Sequence, residues 1–219
     1  MKQMLRRALI DTLPVMTGYV MLGMGFGILM AANGFSAIYS ILMSVFIYAG
    51  SLQYLGISLL SSGASFISIA ISSFLVNARH ILYGISMFSK YRKTKKRKPY
   101  LIFALTDETY SLVCDETDED YFLYVSLLDH LYWICGTVFG CIVSNLITFN
   151  TEGLDFVLTA LFIVIYLEQW LQSKDTYSAL SGLVLTSICL FIFGKQDFLI
   201  PSMALIVITL LLRKKVKHE

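Results

Sequence analysis

The stretch SFISIAISSFLVNARHILYGISMF, residues Ser65–Phe88, decides the class of this protein. It exceeds the roughly 20 apolar residues that an α-helix needs to cross a bilayer, so we predict one continuous span here. Asn77, Arg79 and His80 fall near its middle. A charge at that depth costs about 2.5–3.5 kcal/mol even on lenient insertion scales, and such an arginine usually faces a water-filled cavity or a carboxylate. The NARH motif is therefore the first candidate for function.

The composition extends this reading to the whole chain. The 219 residues are 57% hydrophobic and 15% charged, with a mean hydropathy of +0.71. Soluble domains carry about 25% charged residues. The apolar residues also come in long runs, which predicts an all-α polytopic membrane protein. The four cysteines show no C-x-x-C spacing, and hydrolase, nucleotide-binding and metal-ligand motifs are missing from the sequence. We therefore expect no metal, no cofactor and no enzymatic activity.

Three basic clusters predict the topology. They lie at the N-terminus, at the C-terminus and in KYRKTKKRK, residues Lys90–Lys98. The positive-inside rule places both termini and the loop 89–99 in the cytoplasm. We expect this loop to anchor the protein at the lipid surface and not to bind nucleic acid.

Parity then singles out one apolar segment. The N-terminus and the basic loop are both predicted to be cytoplasmic, so an even number of crossings must lie between them. Three apolar segments precede the basic loop, so one of them should not cross. Phe35–Leu60 is interrupted by Ala49–Gln53, AGSLQ, and we predict that it enters from outside and returns. A continuous span with one polar face is the alternative.

The segment Tyr100–Cys114 is a second candidate for a segment that enters the membrane without crossing it. It is short and carries Asp107 and Glu108 in its middle. We predict a second broken or re-entrant element, entering from the cytoplasmic side. An amphipathic surface helix with its carboxylates in water is the alternative. The acidic loop 115–120 is expected to be solvated.

The remaining segments complete a chain of about six transmembrane helices and two broken or re-entrant segments, which we treat as one transmembrane domain, residues 1–219. Loops at 150–155 and 194–197 are expected outside. The further predicted crossings are Leu13–Ala32, Tyr121–Phe149, Phe156–Trp170, Ala179–Phe193 and Phe198–Leu212.

A short set of intramembrane polar residues provides the candidates for substrate binding or coupling. Arg79 cannot discharge by deprotonation, so we expect it to pair with Asp107 or, as a second option, Asp129. His80 and His130 suit proton coupling, with a hydrogen-bonded core role as the alternative for each. The full set is Ser51, Gln53, Asn77, Arg79, His80, Asp107, Glu108, Asp129 and His130.

Two broken segments that bring polar groups to mid-membrane are typical of a transporter. Helix N-termini suit a carboxylate and acidic side chains suit an ammonium, while the available lining is aliphatic and aromatic. A zwitterion with an apolar tail fits such a site. Coupling to protons or to the membrane potential is expected in place of a cofactor.

The chain also resembles the AzlC family, the large subunits of branched-chain amino acid exporters, over roughly residues 10–145. The residues that carry the resemblance are Pro14-x-x-x-Gly18 with Gly23 and Gly27, Ala49-Gly50-Ser51-x-Gln53, Asn77-Ala78-Arg79-His80-x-Leu82-Tyr83-Gly84 and Thr106-Asp107-Glu108, with a weaker echo at Trp133, Gly136 and Gly140.

The resemblance implies efflux of leucine, isoleucine, valine and close analogues across the cytoplasmic membrane. It also implies a separately encoded small membrane subunit of about four helices (AzlD-like). A non-transporting scaffold or regulatory subunit is the alternative. In that case, replacing the intramembrane arginine and histidines should lower protein amount and not activity.

Overall fold

The computed structural model describes residues 2–146, 163, 167, 170–171 and 176–216. Regular secondary structure in these residues is helical, and no strand occurs among them. The all-α prediction is confirmed for this part of the chain. The chain divides into two compact units, Met1–Leu154 and Asp155–Glu219.

The first unit contains nine described helices. They are α1 (Lys2–Asp11), α2 (Leu13–Ala32), α3 (Ala37–Phe46), α4 (Gly50–Ser61), α5 (Phe66–Val76), α6 (Ala78–Tyr91), α7 (Lys98–Phe103), α8 (Asp107–Val113) and α9 (Glu119–Leu146). A short 3₁₀ turn, Lys95–Arg97, precedes α7.

The second unit contains a described helix pair, α10 (Thr176–Asp197) and α11 (Leu199–Val216). Gly194 interrupts α10 with a φ of 72°, so the chain turns near the predicted 194–197 loop. Among the described residues, three helices are long and apolar enough to cross a membrane, namely α2, α9 and the Thr176–Gly194 part of α10. The predicted loop 150–155 and most of the predicted crossing Phe156–Trp170 lie outside the described residues.

Helices α2 and α9 form the centre of the first unit and run parallel. A Cβ added to Gly23 would lie 2.7 Å from the Trp133 carbonyl oxygen, and one added to Gly27 would lie 2.4 Å from the Thr137 carbonyl oxygen. One added to Gly140 would lie 2.1 Å from the Met24 carbonyl oxygen. Contact positions therefore advance together along both helices, whose backbones touch because each contributes a small-xxx-small face.

Helices α3 and α4 form a hairpin, here called the first hairpin (residues 37–61). Gln53 Nε2 in α4 donates to Ser44 Oγ in α3 at 3.1 Å. Ser61 Oγ, at the end of α4, donates to Asn33 Oδ1 at 3.3 Å, just beyond the end of α2. Since α3 also starts there, the hairpin leaves and returns at the C-terminal end of α2.

The break in the first hairpin lies slightly before the predicted position. Helix α3 ends at Phe46 and α4 begins at Gly50, so most of AGSLQ lies within α4. Tyr48 occupies the tip with a φ of +44°, in the left-handed region that non-glycine residues seldom adopt. The predicted interruption is confirmed, but a tyrosine makes the turn and not the glycine.

Helices α7 and α8 form the second hairpin (residues 98–113), which is broken at 104–106, as predicted for Tyr100–Cys114. Both of its ends lie at the N-terminal end of α9. Arg97 is paired with Asp120 at 2.6 Å, and Lys90 Nζ donates to the Cys114 carbonyl oxygen. The second hairpin therefore leaves and returns at the end of the α2–α9 pair opposite to the first.

Acidic residues in and beside the loop 115–120 form exposed ion pairs, and the expectation that this loop is solvated stays a prediction. Glu116 pairs with Arg7 at 2.5 Å, and Glu119 and Asp120 already belong to α9. The hydrogen bond to Asp120 raises the pKa of the Arg97 guanidinium. The acidic loop thus ties the start of α9 to α1 and to the basic loop.

The prediction of one continuous helix over Ser65–Phe88 is wrong. Helix α5 ends at Val76, Asn77 has φ −93° and ψ 4°, and α6 begins at Ala78. His80 Nδ1 lies 3.2 Å from the Asn77 carbonyl oxygen, and the His80 amide donates to the same oxygen at 2.9 Å. These bonds to the Asn77 backbone carbonyl close a local turn in place of the helical ladder. The first unit therefore has three broken segments, and each sequence motif lies at or beside a break.

Candidate functional site

The tips of the two hairpins meet between α2 and α9. The Tyr48 ring of the first hairpin lies 6.1 Å, centroid to centroid, from Phe103 of the second. It also lies 4.2 Å from the His130 ring on α9 and 6.4 Å from the Tyr19 ring on α2. Because the hairpins start from opposite ends of the α2–α9 pair, this aromatic junction falls near the middle of both helices.

His130 joins the two hairpins. Its Nε2 lies 3.2 Å from the Ser44 carbonyl oxygen in α3, and its Nδ1 lies 3.2 Å from the Tyr100 hydroxyl in α7. A carbonyl only accepts, so Nε2 carries a proton and Nδ1 of a neutral ring accepts from Tyr100. Both ring nitrogens are thus occupied, which matches the hydrogen-bonded core role weighed for this residue. Proton coupling through it stays a prediction.

Asp129 ends a chain of hydroxyl groups that runs from α2 through the second hairpin. Thr109 Oγ1 donates to Asp129 Oδ2 at 2.7 Å, and Thr106 Oγ1 donates to Thr109 Oγ1 at 3.0 Å. The Tyr19 hydroxyl lies 2.7 Å from both Thr106 Oγ1 and Glu108 Oε2. The chain delivers its last hydrogen to Asp129 Oδ2, which accepts it.

Gln53 connects the first hairpin to α9. Its Nε2 donates to Ser44 Oγ, which lies 2.8 Å from Thr137 Oγ1, and Thr137 in turn donates to the Trp133 carbonyl oxygen at 3.0 Å. Ser51 is half-buried in the first turn of α4. Gln53, Glu108, Asp129 and His130 are therefore predicted residues that the structure brings together at the junction.

The NARH motif lies at the break between α5 and α6. Asn77 and His80 hydrogen-bond to each other, and α6 contacts the second hairpin through the Tyr83 ring, stacked 4.5 Å from Tyr110. The side chain of Arg79 lies outside the described part of the structure. Its pairing with Asp107, which starts α8 and is half-buried, or with Asp129 stays a prediction.

Sequence reasoning missed several residues of the junction, and four of them illustrate why: three are aromatic and read as apolar lining, and the fourth is a threonine. One signal was available for Trp133. Asp129, Trp133 and Thr137 are spaced by four, which places them on one face of a helix. These four residues are Tyr19, Tyr48, Thr109 and Trp133.

The amino-acid sequence is similar to those of a known family of membrane proteins. A family model described as AzlC protein matches residues 14–147. The branched-chain amino acid transport protein AzlC of Bacillus subtilis (strain 168) is 45% identical over 95% of this chain and 85% of its own length. An uncharacterized membrane protein of Helicobacter pylori (strain ATCC 700392 / 26695) is 40% identical over 93% of this chain and 92% of its own.

More distant similarity extends to the inner membrane protein YgaZ of Escherichia coli (strain K12), 28% identical over 80% of this chain and 76% of its own. No solved structure is significantly similar. Fold, hydropathy and relatives together define the class, a helical membrane protein built around two opposed hairpins. Within that class, the chain belongs to the AzlC family.

Proposed function

We propose that this chain is a secondary transporter that exports branched-chain amino acids across the cytoplasmic membrane. The observation that carries the proposal is the junction of the two hairpin tips beside buried Asp129 and Gln53. Broken helices that present polar groups near the middle of a helix bundle are how many carriers build a substrate site. The relative named for branched-chain amino acid transport covers nearly the whole chain and supports the substrate class.

The proposed topology follows from the basic clusters and the hairpins. Both termini and the basic loop 89–99 face the cytoplasm. Within the first unit, α2, α5 with α6, and α9 cross the membrane. The first hairpin enters from outside and the second from the cytoplasm. Each hairpin then closes one side of the junction, which is the geometry that alternating access requires.

The proposed export complex includes the small four-helix subunit, and its driving force is the proton gradient or the membrane potential. Helix α5 offers an apolar surface that suits lipid or such a subunit, since Phe66 is 92% exposed and Phe74 63% exposed in the isolated chain.

The transport assay tests this function directly. Cells that lack the gene are preloaded with labelled leucine, and efflux is followed with the chain restored alone, with the small subunit alone and with both. We expect rapid efflux only with both, and competition by isoleucine and valine but not by lysine. Unchanged leucine efflux in all strains, at normal membrane abundance of the chain, would contradict the proposal.

A further inference from the structure

Tyr48 Oη and three further polar atoms at the junction are buried and have no hydrogen-bond partner among the described residues. The three further atoms are Asp129 Oδ1, Trp133 Nε1 and Gln53 Oε1. The residues that carry them are 0%, 4% and 0% exposed. Buried polar groups are nearly always satisfied, so a cluster of such atoms calls for a ligand or ordered water. The cluster contains one donor and two acceptors, one of them a carboxylate oxygen.

These atoms lie around one end of α4. Asp129 and Trp133 are one turn apart on the same face of α9. The Trp133 ring packs on Gly50, because a Cβ added there would lie 3.0 Å from Cη2 and 3.5 Å from both Cζ2 and Cζ3, at the tip of the six-membered ring. Gln53 follows Gly50 by three residues on α4, so it belongs to the same end of the helix.

The N-terminus of α4 is uncapped. Ala49 precedes Gly50 and has no side chain that can accept a hydrogen bond, and the first intrahelical bond from this end is Gln53 N to Ala49 O at 2.8 Å. Helix N-termini in this state bind anions through their first amides and their dipole. In contrast, Thr106 caps α8, where its Oγ1 accepts from the Thr109 amide at 3.2 Å.

We propose that this cluster is the site for the zwitterionic head of the transported amino acid, an inference that rests on the proposed function. The α-carboxylate binds the Gly50 amide at the start of α4 and Trp133 Nε1–H. The α-ammonium binds Asp129 Oδ1 and Gln53 Oε1. Asp129 is suited to a cation because its other oxygen already accepts from Thr109 at 2.7 Å. Glycine is needed at position 50 because a side chain there displaces the indole from the carboxylate.

The test compares three ligands that share one apolar tail. Leucine carries both charged groups, 4-methylpentanoate lacks the ammonium, and 3-methylbutylamine lacks the carboxylate. The full chain, with any native subunit that remains bound, is placed in lipid nanodiscs, and the dissociation constant of each labelled ligand is measured. A charge-assisted hydrogen bond is worth about tenfold or more in affinity.

Asp129→Asn is expected to weaken leucine and 3-methylbutylamine at least about tenfold and to leave 4-methylpentanoate nearly unchanged. Trp133→Phe is expected to weaken leucine and 4-methylpentanoate by a similar factor and to spare 3-methylbutylamine. Equal loss of all three ligands in a folded variant, or normal leucine binding in both variants, overturns the assignment.

Controls of matched size separate binding from packing. Tyr132→Phe also removes an aromatic donor from α9, where its hydroxyl lies 3.3 Å from Thr12 Oγ1, and should bind leucine normally. Gly50→Ala should weaken leucine and 4-methylpentanoate. Gly56→Ala on the same helix meets only the flexible end of Met43, at 3.3 Å, and should not. If Asp129→Asn does not fold, the assignment is decided by Trp133→Phe and by the comparison of Gly50→Ala with Gly56→Ala.

Failure of this site can be told from failure of the function. If the wild-type complex neither binds nor exports leucine, the proposed function is wrong. If the wild type exports leucine while the Asp129 and Trp133 variants match it in the affinity of all three ligands, only the site assignment is wrong.

Discussion

Gly140→Ala is expected to remove most of the folded protein from the membrane. The new methyl group would lie 2.1 Å from the Met24 carbonyl oxygen and 2.9 Å from Met24 Cα, both of them backbone atoms that cannot rotate away. Helices α2 and α9 must separate, and overpacking of this kind costs about 1–3 kcal/mol, occasionally more. Because the two hairpins rest on this helix pair, the damage should spread to the junction.

The measurement is the amount of monodisperse protein by fluorescence-detected size exclusion, with apparent melting temperature on the material that remains. Gly18→Ala in α2 is the matched control, since an added Cβ there meets nothing within 4 Å, and it should behave as the wild type. Equal yields of the Gly140 and Gly18 variants would show that α2 and α9 do not pack through these glycines.

His130→Leu is expected to abolish transport while part of the protein still reaches the membrane. Leucine fills much of the imidazole volume but cannot donate to the Ser44 carbonyl oxygen or accept from Tyr100. The first hairpin would lose its polar link to the second, and buried groups on each would be left unsatisfied, at about 1–3 kcal/mol for each group. The hairpin tips should then lose their relative position.

Labelled leucine efflux beside immunoblots of membrane fractions measures this effect. Tyr100→Phe removes only one of the two bonds, at 3.2 Å, and should reduce efflux less than His130→Leu. Combining both changes should cost no more transport than His130→Leu alone, because the Tyr100 bond is already lost. Normal efflux by His130→Leu at normal abundance would rule out the link between the hairpins.

Much of the first unit was predictable because its main features depend on local chemistry. The parity of the basic clusters isolated Phe35–Leu60, and the short acidic segment Tyr100–Cys114 could not span a bilayer by itself. Both are broken in the structure. In the structure, the small residues of Gly23-x-x-x-Gly27 and Gly136-x-x-x-Gly140 form two faces that pack on each other.

The errors arose where tertiary context overrides local preference. The β-branched and aromatic run before Asn77 reads as a continuous span, yet the asparagine turns the chain there. Tyr48 makes the tip of the first hairpin in a backbone conformation that sequence assigns to glycine. The role of Trp133 was hidden because its donor matters only once Gly50 from another segment is packed against the ring.

Opposed re-entrant hairpins are the central claim, and side-specific cysteine labelling tests it most directly. In a cysteine-free background, single cysteines replace the exposed residues Ser36 and Ser62, which flank the first hairpin, and Lys93 and Thr117, which flank the second. We predict that positions 36 and 62 both react with an impermeant maleimide from outside, whereas 93 and 117 react only after permeabilisation. Labelling of positions 36 and 62 from opposite sides of the membrane would contradict the account, because the first hairpin would then cross the bilayer.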